Sequence, residues 1–250
     1  MSTEYGLQLF SVRDITGNDL EGALREVAAM GYRYVEYAGF FGHPAETVAA
    51  WQEKYGLACS GTHTGWGELL PENIEATIAY HKAIGNRHII VPGADLDSLE
   101  KIIDFCAVMN KAQLRLAKDG ISLGYHNHSH EFRRLANGRT AMDMLVEGMD
   151  PVKTSFVLDT YWVQHGGGDV RHWIEKLAGR IDILHMKEMG RNENGPFITE
   201  IGNGNMYWEG ILETAAKAGV KYYVVEQDSW PGDPFDSIRQ SSEYIHKYFM

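Results

Sequence analysis

Cysteine is nearly absent from this chain of 250 residues, which holds only Cys59 and Cys106. Neither belongs to a spaced framework, which argues against a disulfide scaffold or a thiolate zinc site and points to a reducing, cytoplasmic setting. Long apolar runs are missing as well. Nowhere do about 18 apolar residues follow one another, and "MSTEYGLQLF" has no basic stretch ahead of an apolar core of signal length. Neither export by such a signal nor a membrane span is expected. Basic residues are in deficit, 23 Lys and Arg against 34 Asp and Glu, for a formal net charge of -11. Nucleic acids are held mainly by Lys and Arg displacing counterions, so that partner is disfavoured and a small molecule is expected. Composition breaks, internal repeats and low-complexity segments are absent too, which leaves one domain spanning 1–250.

What is present is a nearly regular alternation of short apolar runs and longer stretches of helical period. "YGLQLF" precedes Leu20, Ala23, Leu24, Val27 and Ala28, which follow the spacing of a buried helix face closed by Gly31. "YRYVEYAGF" leads into a helix from Pro44 to Tyr55, and "LACSGTH" into a helix from Pro71, a residue suited to a first turn. "HIIVPG" is followed by Leu99, Ile102, Ile103 and Cys106 at helical spacing, and "ISLGYHNH" by a polar loop and a helix over Met142 to Val146. "TSFVLDT", "DILHMKEM" and "YYVVEQD" each precede a further helical stretch, the last with Ile238, Ile245 and Phe249 on one side. Eight strand and helix pairs in this length predict an α/β fold, the (β/α)8 TIM barrel. An open doubly wound sheet shares the alternation, but no Gly-rich dinucleotide fingerprint follows the first strand. "GGGD" at Gly166 to Asp169 comes after the sixth strand and reads as a loop entering a helix.

In such a barrel the chemistry sits at the C-terminal strand ends. The fifth strand ends with His126 and His128, the sixth with Asp159, the seventh with His185 and Lys187, and the eighth with Glu226. Residues two apart share a face, so these side chains converge on one rim. Imidazole and carboxylate without thiolate suit one divalent ion such as Zn, Mn, Fe, Co or Mg, with positions left for water or substrate. Taken singly, Asp159 reads as a helix cap, His185 as a satisfied polar group and Lys187 as a surface lysine at a loop start. Their conjunction on successive strand ends is what argues for a site.

"GLQLFSVRD", "GYHNHSHEF", "LDTYWV", "LHMKEM" and "VVEQD" together resemble the xylose isomerase-like TIM barrels of the sugar phosphate isomerase/epimerase group. That group includes tagatose and psicose epimerases, inosose dehydratase, dehydroshikimate dehydratase and endonuclease IV, and the resemblance covers essentially the whole chain. It implies a divalent ion held by a strand-five Glu, a strand-six Asp, a strand-seven His and a strand-eight Glu. The last three roles fall on Asp159, His185 and Glu226. The first departs from the pattern: His126 stands at the strand position where relatives often carry Glu, and Glu131 in the following loop is the alternative. With His126 as the ligand, Glu131 becomes a base or substrate contact, and His130 is solvated.

The resemblance further implies proton abstraction next to the carbonyl of a keto sugar, sugar derivative or cyclitol, giving isomerisation or epimerisation, with a lyase, either a dehydratase or one eliminating from a keto-glycoside, as the alternative. Glu226 is one candidate acid or base and Glu131 or His128 the other, while Lys187 is placed to bind an oxygen or protonate a leaving group. Gln8, Arg13, Glu36 and His63 are candidate substrate contacts near the rim, and Trp162, Trp66 and Trp208 candidate stacking surfaces, each also readable as core or paired residues. No clustered glycine and basic motif for phosphate is present. "EIGNGNMYW" from Glu200 reads as a rim loop before the last helix. A homo-oligomer stays open. The competing readings are an endonuclease IV-like nuclease, which needs further metal ligands and a basic groove, and a non-catalytic sugar-binding protein on the same barrel.

Overall fold

The computed structural model describes residues 4–250. Its strands are β1 (Tyr5–Gln8), β2 (Tyr34–Tyr37), β3 (Ala58–His63), β4 (His88–Val91), β5 (Ser122–His126), β6 (Thr154–Asp159), β7 (Ile181–Met186), β8 (Glu188–Asn192), β9 (Gly195–Thr199) and β10 (Tyr222–Val225). The helices are α1 (Arg13–Thr16), α2 (Leu20–Ala29), α3 (Ala45–Tyr55), α4 (Ile74–Ala83), α5 (Leu99–Leu116), α6 (Ala141–Gly148), α7 (Thr160–His165), α8 (Val170–Lys176), α9 (Trp208–Ala218) and α10 (Pro234–Tyr248). Eight of the strands close in the order β1-β10-β7-β6-β5-β4-β3-β2, all pairs parallel. The expected (β/α)8 barrel is therefore what the chain forms.

Strand alternation explains both cores. Val35, Tyr37, Ile89, Val91, Phe156, Leu158 and Leu184 point outward into one continuous cluster with helix residues such as Leu24, Val48, Met109, Leu145 and Ile211. Their neighbours point inward, where Ile90, Val157, Ile183 and Val224 form a separate apolar plug. Two residues further along three of these strands come Asp159, His185 and Glu226, so the period-2 pleat stacks a polar layer directly on an apolar floor. Gly61 completes the plug: a Cβ there would lie 2.7 Å from Ile90 Cδ1, so any larger residue would push the Ile90 side chain aside.

Several local expectations shift. The α4 helix begins at Ile74, leaving Pro71 in the preceding turn, where Asn73 and Ile74 donate to Leu70 O. On α5 the buried stripe runs through Ile102, Phe105, Cys106 and Met109, so Leu99 and Ile103 face solvent. At the C-terminus Phe249 caps α10 and lies outside it. "EMGRN" and "GPFIT" form an antiparallel hairpin, β8 with β9, rather than a plain loop, and "EIGNGNMYW" precedes α9 instead of the final helix.

One buried carboxylate roots that hairpin. Glu188 accepts from Met189 N, Met206 N, Gly202 N and Trp208 Nε1. Glu188→Ala would leave these donors buried without partners, so a stability loss of about 3 kcal/mol is expected in chemical denaturation. An unchanged midpoint would mean that water satisfies the loop.

Candidate metal centre

The site grows from the strand ends. Asp159 ends β6 and turns the chain into α7, where its side chain accepts from Trp162 N at 2.9 Å. Its own backbone N–H donates to Asn127 Oδ1 at 3.0 Å, which ties β6 to the segment after β5. Glu226 follows β10, its backbone held by Met186 O. His185 lies between two carboxylates: Nδ1 is 2.8 Å from Glu226 Oε2, and Nε2 is 2.8 Å from Glu36 Oε1. Gln8 Nε2 donates to the same Glu36 oxygen at 2.6 Å, so a Gln8–Glu36 pair fixes the ring from behind. Such outer partners set which nitrogen of a histidine faces a metal.

His126, Asp159, His185 and Glu226 each offer a ligand atom within 4.8 Å of the others, and all four are buried. His126 Nε2 stands 3.4 Å from Asp159 Oδ2 and 3.5 Å from Glu226 Oε2, too far for strong hydrogen bonds. Lys187 is fully buried, its ammonium 3.0 Å from Asp159 Oδ2, 3.0 Å from Glu226 Oε2 and 2.9 Å from Asp228 Oδ2. The surface reading of this lysine is overturned; continuation of the β7 alternation carries its side chain inward.

Burial and charge set the protonation states. Burial raises the Asp159 carboxyl, opposed by Lys187, whereas at Glu226 the Lys187 and His185 charges outweigh burial and hold the carboxyl well down. Burial would lower His185, but Glu36 and Glu226 prevail and raise it to about 10. Burial and the His185 charge keep His126 well below the ordinary imidazole range. Asp159, Glu226 and Asp228 thus surround the Lys187 ammonium while Glu36 and Glu226 flank the His185 ring, so four carboxylates meet two positive charges. That surplus of buried negative charge, with two imidazoles and no thiolate, fits a divalent cation.

A cavity of about 340 Å³ opens onto this cluster, lined by Phe10, Gly39, His63, His126, His128, Glu226 and Asp228 among others. It lies at the small end of ligand sites, roughly 300–1,000 Å³.

The sequence pattern of the xylose isomerase-like TIM barrel family matches residues 24–248. The chain belongs to this family. Inosose dehydratase of Geobacillus thermodenitrificans is 26% identical over 149 residues, covering 52% of this chain and 49% of that protein. The match thus spans about half the length of that relative. A sugar phosphate isomerase/epimerase from Parabacteroides distasonis superposes with TM-score 0.85 and 26% identity, covering 98% of each chain. L-ribulose 3-epimerase superposes with TM-score 0.75 over 98% of this chain and 94% of that one; at 14% identity this shows the fold alone.

Within this xylose isomerase-like barrel the remaining expected residues separate into two groups. His63 and His128 border the cavity, and Trp162 lies 5.5 Å from the His128 ring with the Lys187 ammonium 5.3 Å from its face. Arg13 sits at the rim, donating to Asp228 O at 2.9 Å and stacking on Phe10 and Trp230. Gln8 and Glu36 are fully buried against His185, so the structure makes them supports of that ring rather than open contacts. Trp208 is core, its Nε1–H donated to Glu188, and Trp66 is half exposed on a short 3-10 turn. His130 is exposed on its short turn, as expected.

Glu131 is not brought into the cluster. Its oxygens accept from Tyr125 Oη at 2.6 Å and His128 N at 2.9 Å, and Tyr125 points outward toward Phe105. Accordingly, His126→Ala is expected to weaken divalent-ion binding far more than Glu131→Ala, read by isothermal titration. The reverse order would move the strand-five ligand to Glu131. Asp228 is the residue that strand-end reasoning missed. The motif "VVEQD" contained it, but it lies two residues past Glu226, and its contact with Lys187 and its position on the cavity wall show its place.

Proposed function

We propose that this barrel is a metal-dependent enzyme that removes a proton beside the carbonyl of a keto sugar, sugar derivative or cyclitol, with His126, Asp159, His185 and Glu226 holding one divalent ion. When bound there, the ion supplies polarisation of a substrate oxygen and offsets negative charge developing on it. Glu226, which borders the cavity, is the base that takes the C–H proton. Lys187, held by three carboxylates, supplies a proton to an oxygen on the neighbouring carbon.

The observation that carries the reading furthest is the placement of the cavity's carboxylates. Glu226 and Asp228 both come from the end of β10, whereas the β5 side presents His126 and His128 and keeps Glu131 turned away. An epimerisation that passes the proton between two opposed carboxylates lacks its second member here, His128 being the group that borders the cavity on that side. Removal of the proton from one face, formation of a C=C bond and departure of the adjacent oxygen with the Lys187 proton needs only one. A dehydratase or keto-glycoside-cleaving lyase is therefore supported over an epimerase, and the likeness to inosose dehydratase agrees. Isomerisation on one face is the second reading, favoured by the likeness to the Parabacteroides protein.

The test is elemental analysis followed by proton NMR in heavy water of keto sugars, keto-glycosides and inososes incubated with the enzyme. About one equivalent of metal, deuterium beside the carbonyl and an unsaturated product are expected. Epimers that keep every substituent would overturn the elimination reading. No metal and no exchange across the panel would overturn the enzymatic one.

A further inference from the structure

On the outer face of the barrel, α5 turns an apolar ridge to solvent. Ile103 is 62% exposed and Leu114 53%, with Ala107 exposed between them. At 3.6 residues per turn, Glu100, Ile103, Ala107, Lys111, Leu114 and Lys118 fall on one face, Lys118 continuing it in the turn after the helix. A groove runs along each side of the ridge. One, of about 330 Å³, lies against Leu70 and Ile74, and the other, of about 390 Å³, against Met144 and Glu147 of α6.

The charges along this helix divide into two sets. Lys101 and Arg115, which lean away from the ridge, are spent inside the chain on Asp95 and Asp97 and on Glu75 and Asp119. Glu100, Lys111 and Lys118, which lie on the ridge, make no ion pair among the described residues, nor does Asp104 beside it. The unspent charges are acidic at the N-terminal end and basic at the C-terminal end. A surface of that kind is complementary to itself when reversed.

We propose that α5 is the contact helix of a homodimer in which a second copy packs antiparallel across it about a two-fold axis near Val108. That operation sets Ile103 against the partner's Leu114 and Glu100 against the partner's Lys118, with the small Ala107 letting the helices approach. The contact is isologous, so each pairing occurs twice. A single helix ridge falls short of the roughly 1,200 Å² of a stable interface. The flanking grooves supply the remainder, taking side chains from the partner's α6 and from the loop before its α4.

The test is sedimentation equilibrium of the full-length protein. Wild type is expected to dimerise, and Ile103→Glu to raise the dissociation constant by about 100-fold, as loss of an apolar centre does. Ile103 is exposed, so circular dichroism and metal content should be unchanged. Glu100→Lys is expected to weaken the dimer, and adding Lys118→Glu to the same chain to restore it. A monomeric wild type at 100-fold above typical micromolar constants would overturn the proposal. A dimer indifferent to Ile103→Glu would place the interface elsewhere, and a doubly exchanged chain as weak as the single variant would overturn the antiparallel pairing.

Discussion

Asp159→Asn is expected to lose the divalent ion and to lower turnover by more than the roughly 100-fold that follows removal of an outer-shell partner. The two carboxylate oxygens have separate duties: Oδ1 accepts from Trp162 N, and Oδ2 faces Lys187 and His126. Asparagine keeps an oxygen for the cap and puts an amide group where the second oxygen stood. The start of α7 therefore survives while the ligand is lost. Elemental analysis, steady-state rates and circular dichroism check the three parts of this expectation. A folded Asp159→Asn protein that turns over normally without metal would sink the site assignment.

Lys187→Met should act on stability before it acts on rate. Breaking a buried ionic cluster by removing one partner costs about 3–5 kcal/mol, because the charges left behind lose a counterion. Here those left behind are Asp159, Glu226 and Asp228, each within 3.0 Å of the ammonium. The metal-free variant is expected to unfold at distinctly lower urea than metal-free wild type. An added divalent ion should recover part of the difference, since it supplies the missing positive charge. Urea titrations with and without chelator give the comparison. Equal midpoints in chelator would show that Lys187 is not the group balancing these carboxylates.

The alternation of runs was legible because β-branched and aromatic residues separate cleanly from helical periods, and the strand ends followed from the pleat. "DILHMKEM" illustrates the limit. Its spacing put His185 and Lys187 on one face, but whether Lys187 stayed in solvent depended on β7 being followed at once by a hairpin, which "NENG" signalled only weakly. Glu36 is another case. Nothing within "YVEYAGF" says that its carboxylate meets an imidazole 149 positions later. Such a pairing is a property of barrel closure, and local pattern carries no trace of it. On α5, Ile102 and Ile103 are equal in hydropathy, and only the packing of neighbouring helices decides which is buried.

Closure has a consequence in time. Glu36 stands on β2 and His185 on β7, on either side of the β1 to β10 seam where the first and last strands meet. Contacts between such distant positions carry a large loop-closure cost and form late. The four ligands stand on the neighbouring strands β5, β6, β7 and β10, so closure of the seam adds the Glu36 support that fixes the His185 ring to a set these strands have already gathered. A refolding chain should show helical signal first and acquire tight metal capture afterwards, so that a chromogenic chelator competing for the ion becomes a clock for the moment the seam between β1 and β10 shuts.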